Sequence, residues 1–483
     1  MKTNTLDFDA QALREKILDL AMRGKLVPQD PNDEPASVLL EKIKAEKEQL
    51  IKEKKIKKSK PLAPITDDEK PFDIPDSWEW VRLGDLFDIT SSKRVMKSEW
   101  KDTGIPFYRA REIVSIKNHR PLKDPIFIDK KTYEGKIKIS GKPNINDILL
   151  TGVGTLGVPY IVDNDKKFYF KDGNIIWLKN LINLNPKFIS YVVQSPYMLK
   201  KINNGRGTTV ATLTIVRSNN LLIPLPPLEE QSRIAAKIAQ LFALLRKVES
   251  STQQYAKLQT LLKSKVLDLA MRGKLVKQDP HDEPASVLLE KIKAEKEQLV
   301  KEGKIKKSKQ LPPITDDEKP FDIPDSWEWV RLGDIGEIFA GGDKPRDYSI
   351  VKDKEHPFPI YSNGVKNKGL YGFAKAARVL RPAITLSARG TIGYVEYRSE
   401  PFLPIIRLIS FVPFDDKYLK CIFYFLQSKQ LIEKGEGSSI PQVTVPKLKP
   451  KILPLPPLSA QNRIVAKIAQ LFALFYKVES FTQ

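Results

Sequence analysis

The run Leu18–Asp85 returns at Leu267–Asp334 with an offset of 249 and 62 of 68 positions identical, so whatever this chain folds into is built twice. A second repeat has a different offset. Ile223–Glu249 (IPLPPLEEQSRIAAKIAQLFALLRKVE) returns at Leu453–Glu479 (LPLPPLSAQNRIVAKIAQLFALFYKVE), 230 residues on. The segments between these copies, roughly 86–222 and 335–452, hardly resemble each other and differ in length by 19 residues. Two nearly constant frames hold two unlike inserts, a pattern that suits one kind of partner met twice and two different targets read once each.

The frames are helical. Ile234, Ile238, Leu241, Leu245 and Val248 step by four and three, and Tyr255, Leu262, Val266 and Leu269 continue the seam past polar interruptions at Thr252 and Gln259. This predicts one helix over about 229–271, on the order of 60 Å long at 1.5 Å per residue, ending near Gly273 and acting as a spacer. Ile464, Ile468, Leu471, Phe475 and Val478 repeat its first half, while Leu6, Ala10, Leu13, Ile17 and Leu20 repeat its second. Gln483 matches Gln253 and Met1 matches Ser250. The termini are therefore expected to meet and rebuild the helix that the centre carries whole, in a pseudo-twofold, cyclic arrangement with antiparallel seams.

A second amphipathic helix is expected after each DEPAS run (Asp33–Ser37, Asp282–Ser286), with Leu39, Leu40, Ile43 and Leu50 as its apolar stripe. Its outer part, 41–60, holds nine lysines against four glutamates. Such a run reads first as a solvated face or mobile arm, and second as a grazing contact to DNA phosphates. Pro-rich links at 60–78 and 309–327 lead into the inserts, and the Leu225–Pro227 region and Leu453–Pro457 lead out. Inside, runs such as PFYRARE, DILLTG, VPYIVD, HPFPIYSNG, AITLSARG and YVEYRSEPF alternate with Gly/Asn turns and read as strands. The predicted class is α+β, with two α/β domains separated by long coiled-coil helices.

A net charge of +22 points to a polyanionic partner, most simply nucleic acid. The single cysteine, Cys421, excludes a disulfide framework, and the scattered His119, His281 and His356 lack metal-ligand spacing. No stretch approaches the roughly 20 apolar residues of a membrane span, and MKTNTLDFDAQ lacks a signal-peptide core, so a soluble cytoplasmic protein is expected.

Two catalytic patterns are decoys. Gly152–Gly157 spells GxGxxG, but the motif needs a following helix, and Val158-Pro159-Tyr160-Ile161-Val162 reads as another strand. The matching run, Ser387-Ala388-Arg389-Gly390-Thr391-Ile392-Gly393, has lost the first glycine, so a turn between strands is predicted. Pro75-Asp76 with Glu134-Gly135-Lys136 echoes a PD…ExK nuclease, yet Pro324-Asp325 repeats without an equivalent ExK. No NPPY-type adenine pocket or GxxxxGK[ST] loop is present.

What remains is a set of polar and basic turn residues at matching places. In the first insert these are Lys93, Arg94, Arg109, Arg111, Thr151, Thr155, Arg206, Thr208 and Thr209. In the second they are Ser362, Asn363, Lys366, Lys368, Arg389, Thr391, Lys434, Ser438 and Ser439. Arg and Lys contact guanine, Asn contacts adenine, and Ser or Thr contacts either base or phosphate, so these are the candidate DNA-binding residues. Trp78, Trp80, Trp327 and Trp329 lie in the constant frame and are expected to be core anchors.

The IPLPPLEEQ…IAAKI and LPLPPLSAQ…IVAKI runs, the two LDLAMRGKLV helix ends, the two IPDSWEWVRLGD segments and the GTLG/GTIG turns together resemble the DNA-specificity subunits of Type I restriction–modification systems. The resemblance covers nearly the whole chain. It implies constant helical segments at 1–60, 226–309 and 456–483 around target-recognition domains at 61–225 and 310–455. It also implies that each domain docks on one half of a bipartite, asymmetric double-stranded DNA site. The chain would be non-catalytic and hold no cofactor. Two modification subunits would carry S-adenosylmethionine and methylate adenine N6, and two restriction subunits would use ATP and Mg. Leu20, Met22, Arg23, Leu269, Met271, Arg272, Gln231 and Gln461 are the expected partner-binding residues. Glu230 of the family's PPLxEQ pattern is Ala460 in the second frame, which questions the equivalence of the frames at that point. The alternative from another class is a helical scaffold joining acidic protein partners.

Overall fold

The computed structural model describes residues 9–58, 60–203, 212–428 and 442–481, with side chains described as far as 475. The chain divides into two compact units, Met1–Ser251 and Thr252–Gln483. Each contains one insert.

The spacer helix runs over Leu228–Met271, within one residue of the predicted bounds, and its 44 residues give a length of about 66 Å. Its first half belongs to the first unit. There the N-terminal helix Ala10–Met22, capped by the Asp9 carboxylate on the Ala12 N–H, packs antiparallel to it, with Arg14 paired to Glu249 near one end and Leu18 in the same core as Ile234 and Ile238 towards the other. In the second unit the C-terminal helix Leu458–Phe481 packs against the spacer's second half in the same sense: Gln259 reaches the Phe475 carbonyl, and Val266 and Met271 share a core with Ile464 and Ile468. The expected junction of the termini involves residues 1–8 and 482–483, outside the described residues.

The seam is dry only where it meets a frame core. Ile234, Ile238, Val266, Leu267, Ala270 and Met271 are buried, whereas Val248 and Leu262, predicted seam positions, are 45% and 41% exposed. A helix pair buries one stripe, whereas at its ends the helix also meets a strand pair and a second helix.

The helix ends are clamped identically. Gly24 and Gly273 adopt φ of +68° and +67°, with Lys25 and Lys274 N–H groups donating to Leu20 and Leu269 carbonyls, a left-handed C-terminal cap. A Cβ on either glycine would lie 2.4 or 2.5 Å from Pro75 or Pro324 Cγ, so each glycine also admits the proline of the IPDSW segment. That proline seats a helix end, which removes the nuclease echo. Trp78 and Trp327 are buried beside it, Trp80 is buried, and Trp329 is half-buried against Phe321.

Each DEPAS run opens a helix, Ala36–Lys52 and Ala285–Lys301, pinned to the spacer or C-terminal helix by Asp33–Arg233 and Asp282–Arg463 pairs, each with a 3.0 Å bond. The Pro-rich links are held by buried arginines. Arg82 bonds Glu69 and the Ala63 carbonyl; Arg331 bonds Glu318 and the Pro312 carbonyl. Strands Glu79–Arg82 and Leu222–Leu225 then pair antiparallel, as do Glu328–Arg331 and Ile452–Leu455, so each insert leaves and rejoins its frame through a two-stranded neck.

The first insert holds two four-stranded sheets. One orders Asp88–Thr90, Ile175–Lys179, Ile148–Thr151 and Pro159–Ile161, all antiparallel; the other orders Trp100–Lys101, Ile126–Ile128, Ile105–Tyr108 and Tyr169–Phe170, the last pair parallel. The second insert keeps the antiparallel four, as Gly336–Ala340, Leu408–Pro413, Ala383–Ser387 and Val395–Arg398, and reduces the other sheet to three. The strand-like runs read from sequence all contain strands. PFYRARE does so only in part, because its RARE portion starts the helix Ala110–Lys117.

Candidate nucleic-acid interface

The GxGxxG decoy is a hairpin turn, as its sequence predicts: Leu150 pairs with Pro159 across it, and no helix follows. Thr151 is fully buried, its hydroxyl donating to the Thr155 carbonyl and accepting from the Val158 N–H at 2.9 Å. It staples the turn and has no surface to offer a base, which corrects its assignment as a DNA-binding residue. Thr155 and Gly154 project at the tip. The turn is fixed to the strand-like bridge at Thr212, with the Leu213 N–H on the Gly152 carbonyl at 2.9 Å.

The second insert repeats this arrangement with other residues. Ser387 is buried, Thr391 and Gly390 are exposed, Arg389 bridges Gln442, and the Val443 N–H meets the Ala388 carbonyl at 2.9 Å. Here the turn is also laced to Asn363, whose side-chain amide donates to the Arg389 carbonyl at 2.7 Å and whose carbonyl accepts from Ser387 and Thr391 hydroxyls. Asn363, Arg389 and Thr391 therefore form one patch.

Ser362 is spent on the Gly369 carbonyl. Lys366 and Lys368 stand exposed on a turn in which Asn367, Lys368 and Gly369 are all left-handed, and Lys368 is 3.3 Å from Glu396. Behind it Arg398 is buried over the Tyr361 ring and donates to Thr385 and the Lys368 carbonyl. Burial pushes the Arg398 pKa down, against the pull of nearby Tyr361 and Glu396. Arg398, Glu396 and Tyr394 were missed from sequence, although the alternation of VEYR marks one face of a strand.

The matching position in the first insert is not a turn. Arg109 caps the helix Ala110–Lys117, and both Arg109 and Arg111 hold the buried Glu112 carboxylate, at Nε distances of 3.0 and 2.7 Å. Burial alone would raise the Glu112 pKa, but the bonds from both guanidinium groups and the Arg109 N–H, with the charge of Arg109, together outweigh it and the net shift is downward. Arg109 is mostly enclosed against Trp100 and is a bracket within the fold; Arg111 remains half exposed. Lys93 and Arg94 lie exposed on the preceding loop, where the Tyr169 hydroxyl accepts from the Lys93 N–H and Arg94 pairs loosely with Asp172. Arg206, Thr208, Thr209, Lys434, Ser438 and Ser439 lie outside the described residues.

The expected partner-binding set is largely interior. Met22, Met271, Gln231 and Gln461 are at most 1% exposed, and the two glutamines bond the Pro226 and Pro456 carbonyls as core braces. Arg23 and Arg272 stack on Phe72 and Phe321, while Leu20 and Leu269 are half-buried. The Glu230/Ala460 difference has a local explanation. In the first frame the Trp78 indole N–H donates to Glu230 at 2.8 Å; in the second, Trp327 donates to Gln278 at 3.0 Å.

The Type I restriction modification DNA specificity domain matches residues 75–259 and 324–480. The EcoAI specificity subunit of a Type I restriction enzyme from Escherichia coli is 31% identical, over 98% of this chain and 90% of that protein. The EcoEI specificity subunit, also from Escherichia coli, is 36% identical over 68% of this chain and 62% of its own length. A chain solved in a study of complex assembly and conformational transition of the type I R-M system shares the fold, with a TM-score of 0.55 at 21% identity over 85% of this chain and 94% of that one. Matched across both inserts and most of its length, the chain belongs to the Type I restriction–modification DNA-specificity family.

Proposed function

We propose that the chain is the non-catalytic DNA-recognition subunit of a Type I system, each insert reading one half of a bipartite, asymmetric double-stranded site while the helices set the gap. One observation carries this: both inserts present, at the same place, an exposed Gly-Thr turn joined by a single bridge to the residue two before the N-cap of a short helix, Thr212 or Gln442, in surroundings that differ between the two. A constant backbone platform with variable side chains is what two different sequences require. Family membership supports this over a scaffold for acidic proteins.

In this reading two modification subunits carry S-adenosylmethionine and methylate adenine N6, and two restriction subunits use ATP and Mg. The setting is cytoplasmic, and no helix among the described residues is long and apolar enough to cross a membrane. Half-sites one helical turn apart, about 34 Å, lie within the length of the spacer. Gel shifts test the reading: a duplex with both half-sites should bind far more tightly than duplexes with either half scrambled. Equal affinity for all three would overturn it.

A further inference from the structure

The lysine-rich arms are left unused by the recognition turns. Residues 41–60 hold nine lysines, four glutamates and no arginine, and 290–309 hold eight, four and none. Together they supply nine of the chain's 22 surplus positive charges.

Each arm is anchored at one end. Ala36, Leu39 and Ile43, like Ala285, Leu288 and Ile292, are buried in the frame. One lysine per arm turns inward: Lys47 donates to the Gly84 carbonyl at 2.7 Å, and Lys296 lies 3.7 Å from Asp334, so each arm is pinned to the end of its frame, just before the insert. The others turn outward. Lys44, Lys52, Lys54, Lys57, Lys58 and Lys60 are exposed and make no ion pair among the described residues, and the same holds for their five lysine counterparts between Lys293 and Lys309. Lys54 even occupies a left-handed position, φ +57°, where the second arm has Gly303 at +69°. The first arm thus holds a charge where the backbone favours glycine.

We propose that these arms are a sequence-independent grip on the phosphate backbone of duplex DNA. The proposal rests on the chain's being a DNA-reading subunit and adds a second binding surface outside both inserts. Two features select DNA phosphates over an acidic protein, and a third accords with them. Lysine is a flexible point charge that meets phosphate without the fork geometry of arginine. The arms carry no aromatic residue, and their Leu50, Ile51 and Ile56 are half-buried, leaving no apolar anchor of the kind protein interfaces are built around. The arms are also nearly identical beside unlike inserts, as a grip blind to base sequence must be.

The test replaces the six exposed lysines of the first arm and their five counterparts by glutamine in the full chain, together with its modification subunits. Affinity is measured against KCl concentration on a duplex carrying the methylated site and on one of arbitrary sequence. For each phosphate that the variant no longer neutralises, the slope of log affinity against log salt should fall by about 0.9. The fall should be equal on both duplexes, so that discrimination between them is unchanged. An unaltered slope on the arbitrary duplex overturns the proposal, as does intact DNA affinity with loss of a co-purifying subunit, which would assign the arms to an acidic protein. On the arbitrary duplex base recognition contributes nothing and the change between wild type and variant reports the arms, whereas failure of the wild type to distinguish the two duplexes would overturn the recognition reading instead.

Discussion

Thr151 and Thr155 are four residues apart in one motif, and only one can meet DNA: the first ends a strand and turns inward, the second tops the turn. Sequence identified the turn but not the split, because a hairpin's register decides which threonine is enclosed. Thr155→Val should therefore weaken recognition with little effect on melting, whereas Thr151→Val should lower the melting temperature. Glu230 is a buried carboxyl group of the first frame. Burial raises its pKa, against the bonds from Trp78 and Gln29. A raised folded pKa gives stability that is complete below the unfolded value, about 4.3, and lost as pH rises through the folded one. Glu230→Gln, whose amide oxygen can still accept from Trp78, should gain melting temperature over wild type as pH rises from acid to neutral; a constant difference would contradict this. Asp33 has the opposite sign. Its bond from Arg233, opposed by burial, lowers its pKa, so its stability is present above the usual aspartate range, near 3.9, and lost as pH falls through the folded value. Asp33→Asn should lower the urea midpoint at neutral pH, with the deficit shrinking in acid.

At the scale of elements, periodicity was enough for the helices and the strands, and failed where tertiary packing chose the face. The spacer's bounds follow from its apolar repeat and its terminal glycine, and Val266 is buried as the repeat predicts, but Leu267, Ala270 and Met271 are buried too while Leu269 is only half-buried, because a frame core lies against that end. RARE looked like a turn because its arginines are polar; it became a helix because the buried Glu112 at the third helical position bonds back to the Arg109 N–H. Gly273 combines a left-handed backbone with a proline too close for any Cβ. Gly273→Ala should cost about 2–5 kcal/mol in denaturant unfolding, the sum of backbone strain and overpacking. An insertion of about seven residues near Ser250 adds roughly 10 Å of helix, close to three base pairs, and should move the preferred gap to longer values; an unchanged preference would count against the spacer.

For the whole molecule, the duplication with two offsets made most of the architecture legible: constant helices and two inserts of different length, though not the pairing of each entry with its exit into a two-stranded neck. Which side chains do the reading was far less legible, since half of the named candidates are fold brackets, core residues or members of segments outside the described ones. The reason is physical. A frame is specified by many repeated apolar positions, whereas a reading surface is a few polar side chains whose exposure depends on turns that no periodicity encodes. The central claim is that each insert reads one half-site by itself. Methylome sequencing of a host carrying wild type, Thr155→Val or a combined Asn363→Ala and Thr391→Val variant tests it directly. The wild type should methylate a two-part motif with a fixed gap, the first variant should relax one half and the second variant only the other. A continuous motif, or relaxation of both halves by either variant, would contradict the account.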